Sequence, residues 1–228
     1  MIKEKRIFYT EASYFLGIVI MAFGAAFTEL AEFGMSMVVA PTYILHLELS
    51  RFFPWFSFGV AEYFVQGILI AATCIIMRRF KFTYLISFVT ALLYGTVLDG
   101  VIFAVSFIPN EALWVRMICF AVGTLCCSVA VSLFFHTYIS PEAYELIVKE
   151  LSQKFSFNIN KVKMSYDCIS TVIAIVLSFA FFGFGVFKGV GIGTVLCTLI
   201  NGFIIGRVSA WLERRFVFKN KFDLAKYF

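Results

Sequence analysis

The sequence predicts an all-α integral membrane fold: six transmembrane helices arranged as two inverted three-helix repeats. Three observations carry that expectation. First, 61% of the 228 residues are hydrophobic and only 14% are charged, with a mean hydropathy of +0.93. A soluble domain carries roughly a quarter charged residues, so too little polar surface remains here to cover a water-soluble core, and the bilayer is the expected solvent. Second, the apolar residues fall into six runs of the length that crosses a bilayer, about 20 residues each. Third, Lys and Arg recur in alternate connections, as the positive-inside rule requires.

Taken in order, the predicted spans are 12–33, 57–77, 83–107, 112–136, 164–184 and 188–212. Lys3, Lys5 and Arg6 precede the first. That start resembles a signal peptide, but the apolar run continues to about Phe33 without a cleavage site, so it is expected to remain as a span. Arg78, Arg79 and Lys81 divide the second span from the third, and Pro109-Asn110-Glu111 turns the third into the fourth. Lys149, Lys154, Lys161 and Lys163 fall between the fourth and fifth, and Arg214, Arg215, Lys219, Lys221 and Lys226 follow the sixth. With the N-terminus inside, nearly all of these lie on the cytoplasmic side. A multi-pass protein of a bacterial cytoplasmic membrane with both termini cytoplasmic follows, and the net charge of +5 reports topology and not nucleic-acid binding. The chain reads as one transmembrane domain, with repeat one over about 9–108, repeat two over about 112–213 and a basic tail over 214–228.

The repeat rests on matched blocks. Ala40-Pro41 precedes Leu49-Ser50-Arg51-Phe52, and Ser140-Pro141 precedes Leu151-Ser152-Gln153-Lys154-Phe155. Gly95-Thr96-Val97-Leu98, with Asp99-Gly100, matches Gly193-Thr194-Val195-Leu196, with Asn201-Gly202. Three spans per half invert the second half relative to the first, an arrangement that recurs in transporters. Each half carries a Pro-started amphipathic or re-entrant helix after its first span. In the second, Ser140 is the expected N-cap and Pro141 the first helical residue. Tyr144, Ile147, Val148, Leu151 and Phe155 share one face, opposite Glu145, Lys149, Glu150 and Gln153, as in a helix lying on the cytoplasmic membrane surface.

Ionisable groups at membrane depth cost about 2.5–3.5 kcal/mol each on insertion scales, so the few present are candidates for function. Glu29, Glu32 and Arg116 sit near the outer boundary and Arg207 near the inner one, where interfacial roles suffice. Glu62, Gln66, Asp99, Asp167 and Asn201 remain as pathway candidates for a substrate or ion. Glu62 and Gln66 share a helix face one turn apart. Glu62 is expected near the outer mouth and Asp167 near the inner one, as gates. Pro41, Gly95, Thr96, Gly100, Pro141, Gly193, Thr194 and Gly202 are candidates for helix breaks or close packing.

No HExxH, GxSxG, Walker or dinucleotide motif occurs, and no enzyme, cofactor or metal is expected. His46 and His136 are far apart and flank apolar runs. An intramembrane aspartyl dyad of Asp99 with Asp167 fails on depth. The six cysteines form no CxxC pair, so packing is their expected role.

The block Ser140-Pro141-Glu142-Ala143-Tyr144-Glu145-Leu146-Ile147-Val148 with Leu151-Ser152, then Asp167, Gly191-Ile192-Gly193-Thr194-Val195 and Asn201-Gly202, resembles the YitT/YczE-type bacterial membrane proteins. Where that family often has an acid two residues after the proline, this chain has Ala143 between Glu142 and Glu145. Ending at Phe228 without the soluble C-terminal domain of many YitT proteins, it looks closer to the YczE-like members. The resemblance implies a multi-spanning membrane protein. The expected function is a secondary transporter or permeation pathway for a small solute, cation- or proton-coupled. The alternative is a non-transporting scaffold or accessory to another membrane component. The lipid bilayer is the expected partner, with a small solute or ion, and a homo-oligomer or membrane-protein partner, as further candidates.

Overall fold

The computed structural model describes residues 5–56 and 58–222; Lys3, Lys226 and the tail beyond 222 lie outside the described residues. Eight α-helices are bracketed by two short strands: β1 (Arg6–Tyr9), α1 (Thr10–Ala31), α2 (Ala40–Leu49), α3 (Phe58–Met77), α4 (Ile86–Val105, preceded by a 3-10 turn at Phe82–Leu85), α5 (Leu113–Phe135), α6 (Ala143–Phe155), α7 (Ile159–Phe182), α8 (Ile192–Arg215) and β2 (Phe216–Lys219). Six of them, α1, α3, α4 with its leading turn, α5, α7 and α8, are long and apolar enough to cross a membrane. They are the six spans the hydropathy predicts. Their outer faces are apolar and uncovered, with Ile75, Phe103, Phe107 and Trp114 each at least 66% exposed. Such faces suit hydrocarbon and not water.

The fifth span begins at Ile159, five residues before its predicted start, because Asn158 caps it by accepting from the amides of Asn160 and Lys161. That cap draws Lys161 and Lys163 into the helix. The sixth begins at Ile192 and not 188, since the turn around Gly189 and Gly191 occupies the difference. Thr194 caps it, its hydroxyl accepting from the Gly191 amide at 3.1 Å and donating to the Met35 carbonyl at 2.6 Å.

The central contact is between α1 and α5, which cross antiparallel at close range. A Cβ added at Gly24 would meet Cys127 Sγ at 2.6 Å and its amide N at 2.7 Å, and one at Gly123 would meet the Gly24 carbonyl at 2.8 Å. Only residues without a side chain let the two backbones approach this far. At one end of the pair Arg116 donates to the Ala31 carbonyl at 2.8 Å and faces Glu32 at 3.4 Å, the interfacial role expected of it. At the other end Ser13 donates to the Leu133 carbonyl. α4 packs on α1 and α8 packs on α5.

The two short helices do not behave as surface helices. α6 runs alongside α3, in the same direction. Tyr144 near its start reaches Glu62; Ala143 and Leu146 pack on Ile70; Ile147, Glu150 and Leu151 meet Thr73, Ile76 and Met77; and Lys154 donates to the Ile76 carbonyl. The expected placement flat on the membrane surface is therefore corrected: Glu145 and Glu150, assigned to a water-facing side, are buried. The helix also starts later than the motif suggests, with extended Glu142 as the N-cap and Pro141 buried just ahead of it. In the same manner α2 runs alongside α7, from Ala40 and Ile44 on Ala174 to Arg51 over the Phe182 ring.

A feature absent from the apolar pattern closes the bundle. β1 and β2 pair in parallel, Arg6 with Phe216 through Tyr9 with Lys219. Glu11 then accepts from the amides of Lys221 and Phe222 and from the Tyr138 hydroxyl. Both ends of the described chain thus meet at one end of the bundle, as an even number of crossings requires.

Overpacking a tight contact costs about 1–3 kcal/mol. Gly24→Val and Gly123→Val should each lower the unfolding temperature in detergent by several degrees. Gly100→Ala, where an added Cβ meets nothing within 4 Å, should leave it unchanged.

Candidate functional site

The start of α6 gathers the polar groups that the apolar helices cannot hydrate. α3 and α7 each offer a pair at helical i,i+4 spacing: Glu62 and Gln66 are the fifth and ninth residues of α3, and Lys163 and Asp167 are the fifth and ninth of α7. In a helix such pairs share one face, and both faces are turned to α6.

On the α7 side the Lys163 ammonium is fully enclosed. It lies 2.9 Å from Asp167 Oδ1 and 3.3 Å from Glu145 Oε1, with the Tyr166 ring 5.7 Å away. The Asp167 contact joins two residues one turn apart on the same helix. On the α3 side Tyr144 donates to Glu62 Oε2 at 2.8 Å, and Thr42 of α2 completes the chain at 3.2 Å from the Tyr144 oxygen. The Gln66 amide interacts with the same carboxylate. Glu62 Oε1 and Gln66 Oε1 are buried and accept from no described residue.

Glu142, at the N-cap of α6, adds a further carboxyl within electrostatic reach of Glu145, Glu62 and Lys163. Deep burial drives its pKa well above the usual carboxylate range, and the charges of Glu145 and then Glu62 push the same way. Tyr94 of α4 and Cys127 of α5 are near these acids as well. Four carboxyls, Glu62, Glu142, Glu145 and Asp167, thus gather around the start of α6 with one ammonium, which Asp167 and Glu145 contact directly. Among the described residues no group of three His, Cys, Asp or Glu side chains has metal-holding geometry.

At its other end α6 is latched by charge. Glu150 accepts from Tyr84 at 2.9 Å and Lys81 at 3.0 Å, with Arg79 at 3.5 Å. Burial pushes its carboxyl up, but the hydrogen bonds from Lys81 and Tyr84 and the charges of Lys81 and Arg79 more than offset this and hold it below its ordinary range. The basic residues between α3 and α4, expected only as topological markers, therefore also fasten α6.

Of the five pathway candidates, Glu62, Gln66 and Asp167 come together here. They do not stand at opposite mouths: Glu62 and Asp167 are linked through consecutive residues of α6, Tyr144 and Glu145. Asn201 lies one helix away, accepting from Ser128 of α5 at 2.6 Å in a polar seam continued by Thr124–Cys197 and Thr171–Thr198. Asp99 is elsewhere, exposed on the outer face of α4, where Thr96 bonds only its own helix and Gly95 and Gly100 have no neighbour within 4 Å. Their counterparts are packed: a Cβ at Gly193 would meet Phe33 and Phe120 at 2.7 Å, and one at Gly202 would meet Met164 at 2.9 Å.

Lys163 is what the sequence misassigns. Placed among the loop lysines, it is instead the buried base of the site, paired with Asp167 and Glu145. Its signal is the i,i+4 spacing to Asp167. Glu142, Tyr144 and Glu145 belong to the Pro141 motif without marking a site, because the amphipathic pattern turns Glu145 toward water and Tyr144 toward the apolar side.

Six helices able to span a bilayer, with a short polar helix enclosed among them, define a multi-pass helical membrane protein. Residues 8–210 match a family of unknown function, DUF6198, and the chain belongs to that family. No curated protein and no solved structure matches it.

Removing one partner of a buried ion pair costs about 3–5 kcal/mol. Lys163→Met should destabilise the protein by about that much, whereas replacing Lys163, Glu145 and Asp167 together by apolar residues of similar volume should recover most of it. Thermal unfolding of the purified variants in detergent decides this. For Glu150, a depressed folded pKa means that its stabilisation is present above its ordinary value of 4.5 and is lost as the pH falls through the folded one. The advantage of wild type over Glu150→Gln should be full at neutral pH and shrink steadily below pH 4.5.

Proposed function

We propose that this protein is a secondary transporter or permeation pathway for a small solute, coupled to a cation or to protons. The single observation that carries the proposal is the cluster at the start of α6, where four carboxyls gather with one ammonium, that of Lys163, among helices able to span a membrane. Uncompensated charge costs several kcal/mol per ion in a low-dielectric interior. A cluster that exists only to hold helices together would be better served by matched charges or apolar packing. An excess of acids over bases inside such a bundle suits groups that exchange protons or cations with a permeating species.

The helix contacts support an inverted repeat in which α1 to α4 correspond to α5 to α8. Under that correspondence α1·α4 maps onto α5·α8, α2·α3 onto α6·α7, and α2·α7 onto α6·α3, all of which pack. In this reading α2 and α6 are re-entrant helices that begin inside the bundle and leave toward opposite faces, around the solute path. The basic residues at the β1–β2 end and between α3 and α4 support a reading with both termini in the cytoplasm, in a bacterial cytoplasmic membrane. Kinship with YitT/YczE-type proteins belongs to the same proposal. Asp99, exposed on α4, favours the second reading, an accessory protein that meets its partner through that face.

Uptake of a panel of labelled solutes into proteoliposomes, with and without a pH gradient, tests the proposal. A transported solute should be found whose uptake falls at least tenfold in Glu62→Gln and in Asp167→Asn and is unchanged in Asp99→Asn. Undiminished uptake in the first two would remove the acid cluster from the path. Loss of uptake in Asp99→Asn alone would move attention to the α4 face.

A further inference from the structure

The two i,i+4 pairs facing α6 are matched in position and unmatched in charge. In α7 the carboxylate of Asp167 has a tethered cation, the Lys163 ammonium, held also by Glu145 and set beside the Tyr166 ring. In α3 the same two positions carry an acid and a neutral amide, so Glu62 has no side-chain cation on its own helix. Its Oε2 accepts from Tyr144, and the Gln66 amide nitrogen interacts with the same carboxylate. Oε1, and Oε1 of Gln66, which is itself only 4% exposed, are buried acceptors without a donor among the described residues. A buried acceptor left unmade costs about 1–3 kcal/mol, and more when it is charged.

We propose that Glu62 and Gln66 form a binding site for a small monovalent cation, an alkali-metal or ammonium ion, occupying on α3 the place the Lys163 ammonium holds on α7. The donors are oxygens, Glu62 Oε1 and Gln66 Oε1, with the hydroxyls of Tyr144 and Thr42 following in the chain that starts at Glu62 Oε2. Hard oxygen ligands of this kind suit hard cations. One carboxylate matches one positive charge, so the filled site is neutral, as the Lys163–Asp167 pair is. In the transport reading this ion is the coupling cation; the binding itself does not depend on that reading.

The test is the thermal stability of the purified full chain in detergent. NaCl, KCl or NH4Cl is titrated against choline chloride at constant ionic strength and constant pH. At least one of the small cations should raise Tm saturably by about 5 °C, as ligand linkage predicts at concentrations well above Kd. Glu62→Gln should abolish the shift. A double substitution, Glu62→Lys with Gln66→Asp, copies the α7 pair, and should also remove the shift while unfolding no lower than the wild type in choline. Equal Tm in all four salts overturns the site, as does a cation-dependent shift that survives Glu62→Gln. Stabilisation by acid pH alone, with no cation dependence, assigns Glu62 Oε1 to a proton and overturns it too. Cation binding without any uptake in proteoliposomes leaves the site standing and removes the transport reading, while uptake that does not depend on the cation leaves transport standing and removes only the coupling role of this ion.

Discussion

One buried ammonium sets what the rest of this fold can be. Lys163 is enclosed by protein, and an isolated charge there would be prohibitive in a medium that solvates poorly. It is tolerable because Asp167 stands one turn along its own helix and Glu145 reaches it from α6. Those two contacts fix the start of α6 against α7, and Glu62, through Tyr144, fixes it against α3. Since a helix start also leaves backbone N–H groups unpaired, the carboxyls of Glu142 and Glu145 sit where the helix dipole favours negative charge. Polar side chains and helix ends thus satisfy one another in a region the spanning helices could not hydrate.

The surrounding scaffold is built to make that enclosure rigid. α1 and α5 touch backbone to backbone through Gly24 and Gly123, and hydroxyls of Thr and Ser residues bond across α5, α7 and α8. In lipid there is no hydrophobic force to press helices together, so close contact and interhelical hydrogen bonds must do it. The Glu150 latch to Lys81, Arg79 and Tyr84 does the same for the far end of α6. There the partners are part-exposed and the bond depends on pH, whereas the Lys163 cluster is shut away from bulk water.

Much of this was legible in the residues. Six spans, their breaks and their polar exceptions follow from hydropathy, because each crossing must satisfy its own backbone and announces itself over some twenty residues. The candidates Glu62, Gln66 and Asp167 followed from the cost of polarity at depth. What could not be read is which polar groups meet. Amphipathic periodicity in α6 predicts a surface helix whenever water is assumed on the polar side. A protein interior that supplies Lys163 and the Arg79–Lys81 cluster gives the same pattern. Lys163 was hidden by the rule that counts lysines near span ends as topological, although its spacing to Asp167 already paired it. The β1–β2 ribbon was invisible because four-residue strands leave no signal beside apolar helices.

The two proposed halves differ in how they treat polarity, and the difference is directional. In the second, Asn201 meets Ser128, Thr198 meets Thr171, and Gly193 and Gly202 lie in tight contacts. In the first, the corresponding Gly95, Asp99 and Gly100 face outward, and the α3 pair has an acid with no base. If the halves arose from one unit, the second has closed its polar positions among its own helices, and the first has left them open. A closed network rigidifies, since each buried group already has its best partner. An open acceptor pair instead gains from any donor or cation that reaches it, and that gain differs between conformations that admit the visitor and those that do not. Differential binding of this kind is the only means by which a small ion can shift a conformational equilibrium. Under the proposed transport function, the α3 side of the site is where a permeating species would change the state of the protein, and the α7 side is what holds α6 still while it does.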